Sequence, residues 1–296
     1  MHKKGKYLST KEPLELFHMD LMGPMQTESL GGKRYIFVYV DDFSRFTWTY
    51  FLREKSETFD KFKILCTKIQ NEMNSNIKSI KRIRSDHGRE FENALFESYC
   101  NSLGISHEFS TPRTPQKNGV VERKNRVLQE MVRVMLLSNN VPKNLWPEAV
   151  NMACYIRNRV FLRPGSRNTF YELWKGRKPN VSYFHTFGSK CYILNDRDQL
   201  GKFDAKSDEG IFNGYASNSR TYRVFNLKTR TLMESSNVVI DDTRLKSNDH
   251  DKEVVLDDNS LLEKVVETPN VGTSNGANED TQPIDRVPLL NSKEPA

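Results

Sequence analysis

The strands and helices legible in this sequence predict an α/β protein: a mixed five-stranded sheet flanked by helices, followed by a small all-β module and a disordered tail. Three observations predict it. Three strand-like segments come first and an alternation of helix and strand follows, giving the order β-β-β-α-β-α-β-α, which makes a mixed sheet with helices on its faces. Beyond residue 180, short apolar runs are separated by Gly, Asn, Asp and Ser turns, the pattern of a small barrel or sandwich. Residues 246–296 hold no Phe, Trp or Tyr and are rich in acid, Asn, Ser and Pro, too little apolar surface to order a chain.

Each element has a local reason. Residues 17–21 read as a strand closed by Gly23-Pro24, and residues 34–41 are a β-branched and aromatic run typical of a buried strand. Residues 42–45 make a turn and 46–52 a third strand. Ser56 is placed to cap the helix that follows, although the capping-box partner position holds Phe59 rather than Glu. Phe59, Phe62, Leu65, Cys66 and Ile69 then recur at helical spacing. A fourth strand over 77–84 ends at Asp86. A helix over 94–103 stops at Gly104, a natural residue for the left-handed turn after a helix. Residues 105–109 form a fifth strand, and 111–119, with two prolines and a glycine, a loop. A long helix covers 120–137, and another 145–159, where Pro147 is tolerable only in the first turn. Short strands follow at 187–194, 209–214, 221–226 and 231–241. The predicted organisation is a linker over 1–11, the α/β core over 12–175, the β module over 180–245 and the tail over 246–296.

Charge is uneven along the chain. Residues 1–175 carry 29 Lys and Arg against 19 Asp and Glu; residues 176–245 carry 11 against 8; residues 246–296 carry 5 against 11. A basic body suits a polyanionic partner through phosphate contacts and counterion release, and equally suits a merely soluble basic protein. Cys66, Cys100, Cys154 and Cys191 form no C-x-x-C pair and have no histidine at zinc-finger spacing, so they read as buried thiols in a reducing compartment. No apolar run approaches the length of a membrane span and the N-terminus has no hydrophobic signal core, which predicts an intracellular protein away from membranes.

The candidate chemistry lies in three carboxylates: Asp20, Asp86 and Glu122, the last two separated by 35 residues. Two or three carboxylates gathered by a fold can hold a pair of divalent metals, which clamps the attacking and leaving oxygens of a phosphoryl transfer. Each also has a structural explanation. Asp86 could simply cap a strand end. Glu122 opens a helix, where the dipole favours a negative side chain. Asp41 and Asp42 rival Asp20; Asp20 is preferred because it sits mid-strand among apolar neighbours, where a carboxylate is seldom left without a reason. Arg84, Arg89, Arg123, Lys124 and Arg126 offer cations beside these acids, and Gln116, Lys117 and Asn118 precede Glu122 in a loop suited to DNA backbone or base edges. Trp48, Trp146 and Trp174 read as core residues. His87 lies beside Asp86, and His18 alternates with Asp20 along its strand; neither is assigned as a metal ligand.

These frames resemble the integrase core of copia-type retrotransposon Pol polyproteins. The likeness runs through Phe17-His-Met-Asp-Leu-Met-Gly-Pro24, Val40-Asp-Asp-Phe-Ser-Arg45, Arg84-Ser-Asp-His-Gly-Arg-Glu-Phe91 and Pro115-Gln-Lys-Asn-Gly-Val-Val-Glu-Arg-Lys-Asn-Arg126, and on through Trp146-Pro-Glu-Ala149. Phe187-Gly-Ser-Lys-Cys-Tyr192 with Gly210-Ile-Phe-Asn-Gly-Tyr215 resembles the SH3-like module that follows that core. The resemblance implies a ribonuclease-H-like fold and makes Asp20, Asp86 and Glu122 a metal-binding triad holding Mg²⁺ or Mn²⁺, two ions in all. It implies DNA contacts at Gln116, Lys117, Asn118, Arg123 and Lys124. It further implies 3′-end processing and strand transfer of element DNA into double-stranded target DNA, by a homo-oligomer that works in the nucleus after a cytoplasmic particle stage. Two departures stand out: the family's His/Cys zinc module lies upstream of His2, and Arg89 stands where Gly is commoner. The chain reads as a piece of a larger polyprotein. A catalytically inactive nucleic-acid-binding remnant of a degraded element is the competing reading, and an RNA-degrading nuclease of the same fold is a third.

Overall fold

Strand β1 (Phe17–Met22) is central because both of its faces are covered and both of its edges are paired. The computed structural model describes residues 10–72, 80–110, 119–195, 201–216 and 221–242. On one side β1 pairs antiparallel with β2 (Tyr35–Asp41), which pairs antiparallel with β3 (Thr47–Leu52). On the other it pairs parallel with β4 (Arg82–Ser85), and β4 parallel with β5 (Ser106–Phe109). The five-stranded order is therefore β3-β2-β1-β4-β5. This is the predicted mixed sheet: hairpins build the antiparallel half, and helical crossovers build the parallel half.

The alternation of side chains along β1 sorts its residues between two cores. Phe17 and Met19 join Phe37, Tyr39, Phe62, Leu65 and Phe96 beneath α1 (Thr58–Glu72) and α2 (Ala94–Ser102). Met22 joins Ile36, Val38 and Val40 against Val121 and Leu128 of α3 (Gly119–Ser138) and Val150 and Ala153 of α4 (Trp146–Val160). His18 and Asp20 alternate with Phe17 and Met19 and so belong to the α3 face. Trp146 and Trp174 are buried, and the Trp48 and Trp174 rings meet edge-on at 4.7 Å, as the core reading of the tryptophans requires.

Several boundaries move. The helix expected to begin at Ser56 begins one step earlier in a short 3-10 turn, Lys55–Glu57, where the Glu57 carboxylate accepts from the backbone N–H groups of Arg53 and Glu54. Ser56 instead donates to the Glu54 side chain. Asn93, not foreseen, caps α2 by accepting from Phe96 N. Gly104 has φ +66, the left-handed conformation predicted from its place after α2. A short helix missed in the sequence, α5 (Phe170–Lys175), is held by a capping box between Thr169 and Glu172.

The second sheet has the order β10-β6-β7-β8-β9, all antiparallel: β6 (Lys190–Leu194), β7 (Ser207–Tyr215), β8 (Tyr222–Asn226), β9 (Thr231–Ser235) and β10 (Val238–Asp241). The single strand expected over 231–241 is two, broken at residues 236–237, so that one half pairs with β8 and the other with β6. Phe187 and Phe212 pack with Leu145, Ala149 and Met152 of the α4 region, giving the two sheets a shared apolar cluster. Arg223 closes the junction with a bidentate pair to Glu148, at 2.7 and 2.9 Å. Gly188, at φ +86, admits the chain there; a Cβ would lie 2.7 Å from Asn139 Cβ. The tail over 246–296 lies outside the described residues. All four cysteines are free and buried.

Candidate active site

Register alone brings Asp20 level with Asp86. Strands β1 and β4 run parallel with His18 opposite Arg84, so two further residues along each strand set the two aspartates abreast. Asp86 follows the last residue of β4 and is exposed; its Oδ1 accepts from Gly88 N at 3.1 Å. Ser85 steadies the turn. Its hydroxyl donates to the Asp86 carbonyl at 2.9 Å, so the 2.9 Å contact with His107 Nε2 has the imidazole as donor. Burial pushes the pKa of His107 down to about 4 and keeps that ring neutral.

Helix α3 delivers the third acid. Val121, Leu128 and Met131 seat it on the sheet, leaving Glu122 exposed in its first turn. One turn on, Asn125 is buried and its Nδ2 donates to Asp20 Oδ2 at 2.6 Å. Asp20 is thus the meeting point. Its pKa is pushed up to about 6, first by burial and then by the negative charges of Asp86 and Glu122, while the Leu21 N–H and the Asn125 amide pull the other way.

The rival aspartates are occupied. Asp41 is fully buried and accepts from Leu14 N at 3.0 Å, from Ser44 N at 2.7 Å and from the Ser44 hydroxyl at 2.6 Å. Burial still raises its pKa; the hydrogen bonds only oppose this. Asp42 is partly buried, which alone would raise its pKa, yet His18, Arg45 and Thr10 hold it well below the usual carboxylate range. A carboxylate only accepts, so His18 Nε2 carries a proton toward Asp42, and His18 is spent on that contact. These two acids tie the β2–β3 turn to the start of β1.

Among the described residues, no three acidic, histidine or cysteine side chains stand close enough to ligate one ion as placed. Asp20, Asp86 and Glu122 share an electrostatic field, with the half-buried Asp20 at its inner end. The donor set still suits a hard divalent cation, since all three ligands are carboxylates and a positive charge among them would remove the repulsion that raises Asp20.

The cations are arranged differently from the sequence expectation. Arg84 is engaged by Glu108, donating through Nη2 and Nε to its Oε2 at 2.6 and 3.1 Å. Lys124 is buried with Nζ 4.3 Å from the centre of the Phe170 ring, so its grouping with exposed phosphate-binding cations is corrected. Its position was legible: Val121, Lys124, Leu128 and Met131 follow the inward helical spacing. Arg123 and Arg126 are exposed. Arg45 and Arg163 were not anticipated. Burial lowers the pKa of Arg45, Asp42 opposes this, and the charges of Arg163 and Arg123 lower it further, so the three arginines lie within electrostatic reach of one another. Arg163 sits over the Phe43 ring at 5.3 Å. Gln116, Lys117 and Asn118 lie outside the described residues. His87 stacks on Phe109, with centroids 5.0 Å apart, and contacts Glu92. Asn125 had no sequence signal beyond its place one turn after Glu122.

Two family models match the chain: the integrase core domain over residues 10–115 and the retroviral polymerase SH3-like domain over 189–254. Asp20 and Asp86 fall inside the first, and Glu122 just beyond it. The Pol polyprotein of the tobacco transposon TNT 1-94 (Nicotiana tabacum) is 34% identical over 268 residues, 90% of this chain and 20% of that protein. The chain therefore matches the integrase region of retrotransposon Pol polyproteins. The RE1 Pol polyprotein of Arabidopsis thaliana is also 34% identical, over 79% of this chain and 16% of its own length. The Ty1-BR Gag-Pol polyprotein of Saccharomyces cerevisiae is 26% identical over 84% of this chain. The chain therefore spans about a fifth or less of these relatives. Among solved structures, the HTLV-2 integrase catalytic core domain in complex with magnesium aligns over 55% of this chain and 97% of that one, with TM-score 0.43 and 19% identity. A simian T-cell lymphotropic virus intasome structure aligns over 76% of this chain and 79% of that one, with TM-score 0.46 and 16% identity.

Proposed function

We propose that this chain is the catalytic core of an integrase that processes the 3′ ends of element DNA and transfers them into target DNA. The observation that carries this reading is the half-buried Asp20 carboxylate, oriented by Asn125 and lying in the field of Asp86 and Glu122. Asp20, Asp86 and Glu122 would hold Mg²⁺ or Mn²⁺, as a pair of ions on this reading; when bound, these supply a lowered pKa for an attacking hydroxyl and neutralise charge at phosphorus. The remaining work falls to the chain itself. Asn125 fixes the rotamer of Asp20, and Ser85 with His107 fixes the peptide carrying Asp86. Arg123, Arg45 and Arg163 supply positive charge for a DNA backbone, and Gln116, Lys117 and Asn118, which precede α3 in the sequence, are further proposed contacts. Element and target DNA are the proposed partners, a homo-oligomer the proposed working form, and the nucleus the site of the reaction.

One observation favours a second reading. The three carboxylates are not gathered into a ready coordination shell among the described residues, as a nucleic-acid-binding remnant without activity would allow. Strand transfer and salt-titrated binding on short duplex DNA separate the two. The enzyme reading expects joined product with Mn²⁺ or Mg²⁺, its loss in Glu122→Gln, and DNA affinity in that variant within a few-fold of the parent. A parent chain that binds DNA but joins none with either ion makes the remnant reading the better one.

A further inference from the structure

Two sizeable cavities of this protein lie away from the acidic site. Two open grooves, of about 810 and 630 Å³, share Trp48, Thr49, Phe51, Lys68, Glu148 and Asn151 and so run together along β3, at the far edge of the five-stranded sheet. They flank the one strand of that antiparallel half with no strand on its outer side.

The backbone at this edge is partly open. In the β2–β3 ladder Asp41 N donates to Phe46 O, and Trp48, Tyr50 and Leu52 fall in step with Phe46, turned toward β2. Thr47, Thr49 and Phe51 therefore point their N–H and C=O groups outward. Asn158 of α4 takes both groups of Thr47, accepting from its N–H at 3.0 Å and donating to its carbonyl at 2.8 Å, much as a neighbouring strand would. Among the described residues nothing takes the N–H and C=O of Thr49 and Phe51. An open edge of this kind is a template for strand addition.

The walls say what kind of strand. Lys61 and Lys68 on α1 and Arg230 ahead of β9 line the groove with no ion-pair partner among the described residues. Glu72 and Glu148, the acids there, are taken by Lys175 and Arg223. At the β7 end, the Asn213 side chain is 1% exposed and lines the groove with buried Oδ1 and Nδ2 both unpartnered, one acceptor and one donor suited to a main-chain amide.

We propose that the β3 groove is a docking site for an extended acidic segment of a partner protein, which adds as a strand to Thr49 and Phe51 while its carboxylates meet Lys61, Lys68 and Arg230. The proposal is independent of the acidic site, whose Asp20 lies two strands away. A second copy of this chain in the same groove would set these cations against themselves. A polynucleotide would satisfy the cations and leave the outward amides unused.

The test is fluorescence anisotropy with the whole chain and three labelled peptides: alternating Glu and Val; alternating Lys and Val; and the Glu-Val peptide N-methylated at every second residue along one edge. Saturable binding of the Glu-Val peptide is expected, about 10-fold or more weaker binding of the N-methylated form, and none of the Lys-Val form. Thr49→Pro removes the outward donor, a change an edge strand tolerates, along with the 3.3 Å hydroxyl bond to Asn151, and should weaken the Glu-Val peptide about 10-fold, whereas Thr49→Val, which loses the hydroxyl alone, should leave it within a few-fold of the parent. Lys61→Glu with Lys68→Glu should weaken it as much without touching the strand, and raised salt should weaken the parent. Equal affinity for the N-methylated or the Lys-Val peptide overturns the proposal, as does failure of the Glu-Val peptide to bind. Oligothymidylate that binds where the peptides do not, and is lost in the double Lys variant, would make this a nucleic-acid groove. A dimer in sedimentation that protects the β3 amides from exchange without peptide would make it a subunit interface.

Discussion

The side-chain amide of Asn125 donates to Oδ2 of Asp20 across 2.6 Å, joining residues 105 positions apart, the first turns of α3 to the middle of β1. The same amide leaves its own Oδ1 buried and unpartnered. A carboxylate half sunk in the protein, facing two other acids, is held in one orientation by that bond. Asn125→Ala removes a donor to the ionised form, so the pKa of Asp20 should rise further. Metal-dependent joining should fall about 10-fold near neutral pH, as when an orienting partner of a ligand is lost, and its rise with pH should move upward. A pH–rate profile checks this; an unshifted profile would show that Asn125 serves the fold alone.

Asp20 should also cost the metal-free protein stability. Its folded pKa is raised from 3.8 to about 6, so the folded state holds the proton more tightly than the unfolded chain. Stability from this group is full below the unfolded value and is lost as pH climbs through the folded one. Asp20→Asn, which can still accept from Asn125, should therefore be more stable than the parent by about 1–3 kcal/mol above about pH 7, and show no gain near pH 4. Urea melts in chelator at the two pH values measure the difference. Equal gains at both would trace the effect to packing.

The junction of the two sheets should behave as a buried ion pair. Glu148 is buried and Arg223 reaches it from β8 through two hydrogen bonds. Arg223→Met strands that carboxylate and should cost about 3 kcal/mol, whereas Arg223→Met with Glu148→Leu should recover most of the loss. Thermal melts of the single and double variants decide it; a double variant no better than the single would contradict the account.

The elements that read clearly in the sequence carry their reason locally. Strand β2 is an unbroken aromatic and β-branched run, and the inward stripe of α1 repeats through Phe62, Leu65, Cys66 and Ile69, all buried. Misread features depend on distant partners or on few residues. The start of α1 was placed at Ser56 because a Ser is a common cap, while Glu57 does that work from within a 3-10 turn. Helix α5 has only six residues, too few for a periodic signal. Of the site, the acidic frames were legible, because each acid stands in a distinctive setting at a strand, a strand end or a helix start. Asn125 was not, since its role exists only where α3 crosses β1. Lys124 looked like one more cation beside Arg123 until the helical face that carries it was seen packed on Phe170.

The cysteines offer an independent check on burial. Burial pushes Cys66 and Cys191 up to about 12, and Cys100 and Cys154 up to about 11. A thiol-reactive dye should label none of the four within the time that labels all of them in denaturant, because the thiolate is the reactive form. Fast labelling of Cys100 or Cys154 in native protein would show that α2 or α4 opens more readily than its packing implies.

The central claim is that Asp20, Asp86 and Glu122 together make a divalent-metal site, and Mn²⁺ binding tests it most directly. Loss of the free-ion electron paramagnetic resonance signal should show saturable binding by the parent chain at neutral pH. Glu122→Gln keeps the size of the side chain and its helical position but removes one charged ligand, so binding should weaken by about 10-fold or more while DNA affinity is retained. Binding that is unchanged in Glu122→Gln, or absent from the parent, would contradict the account.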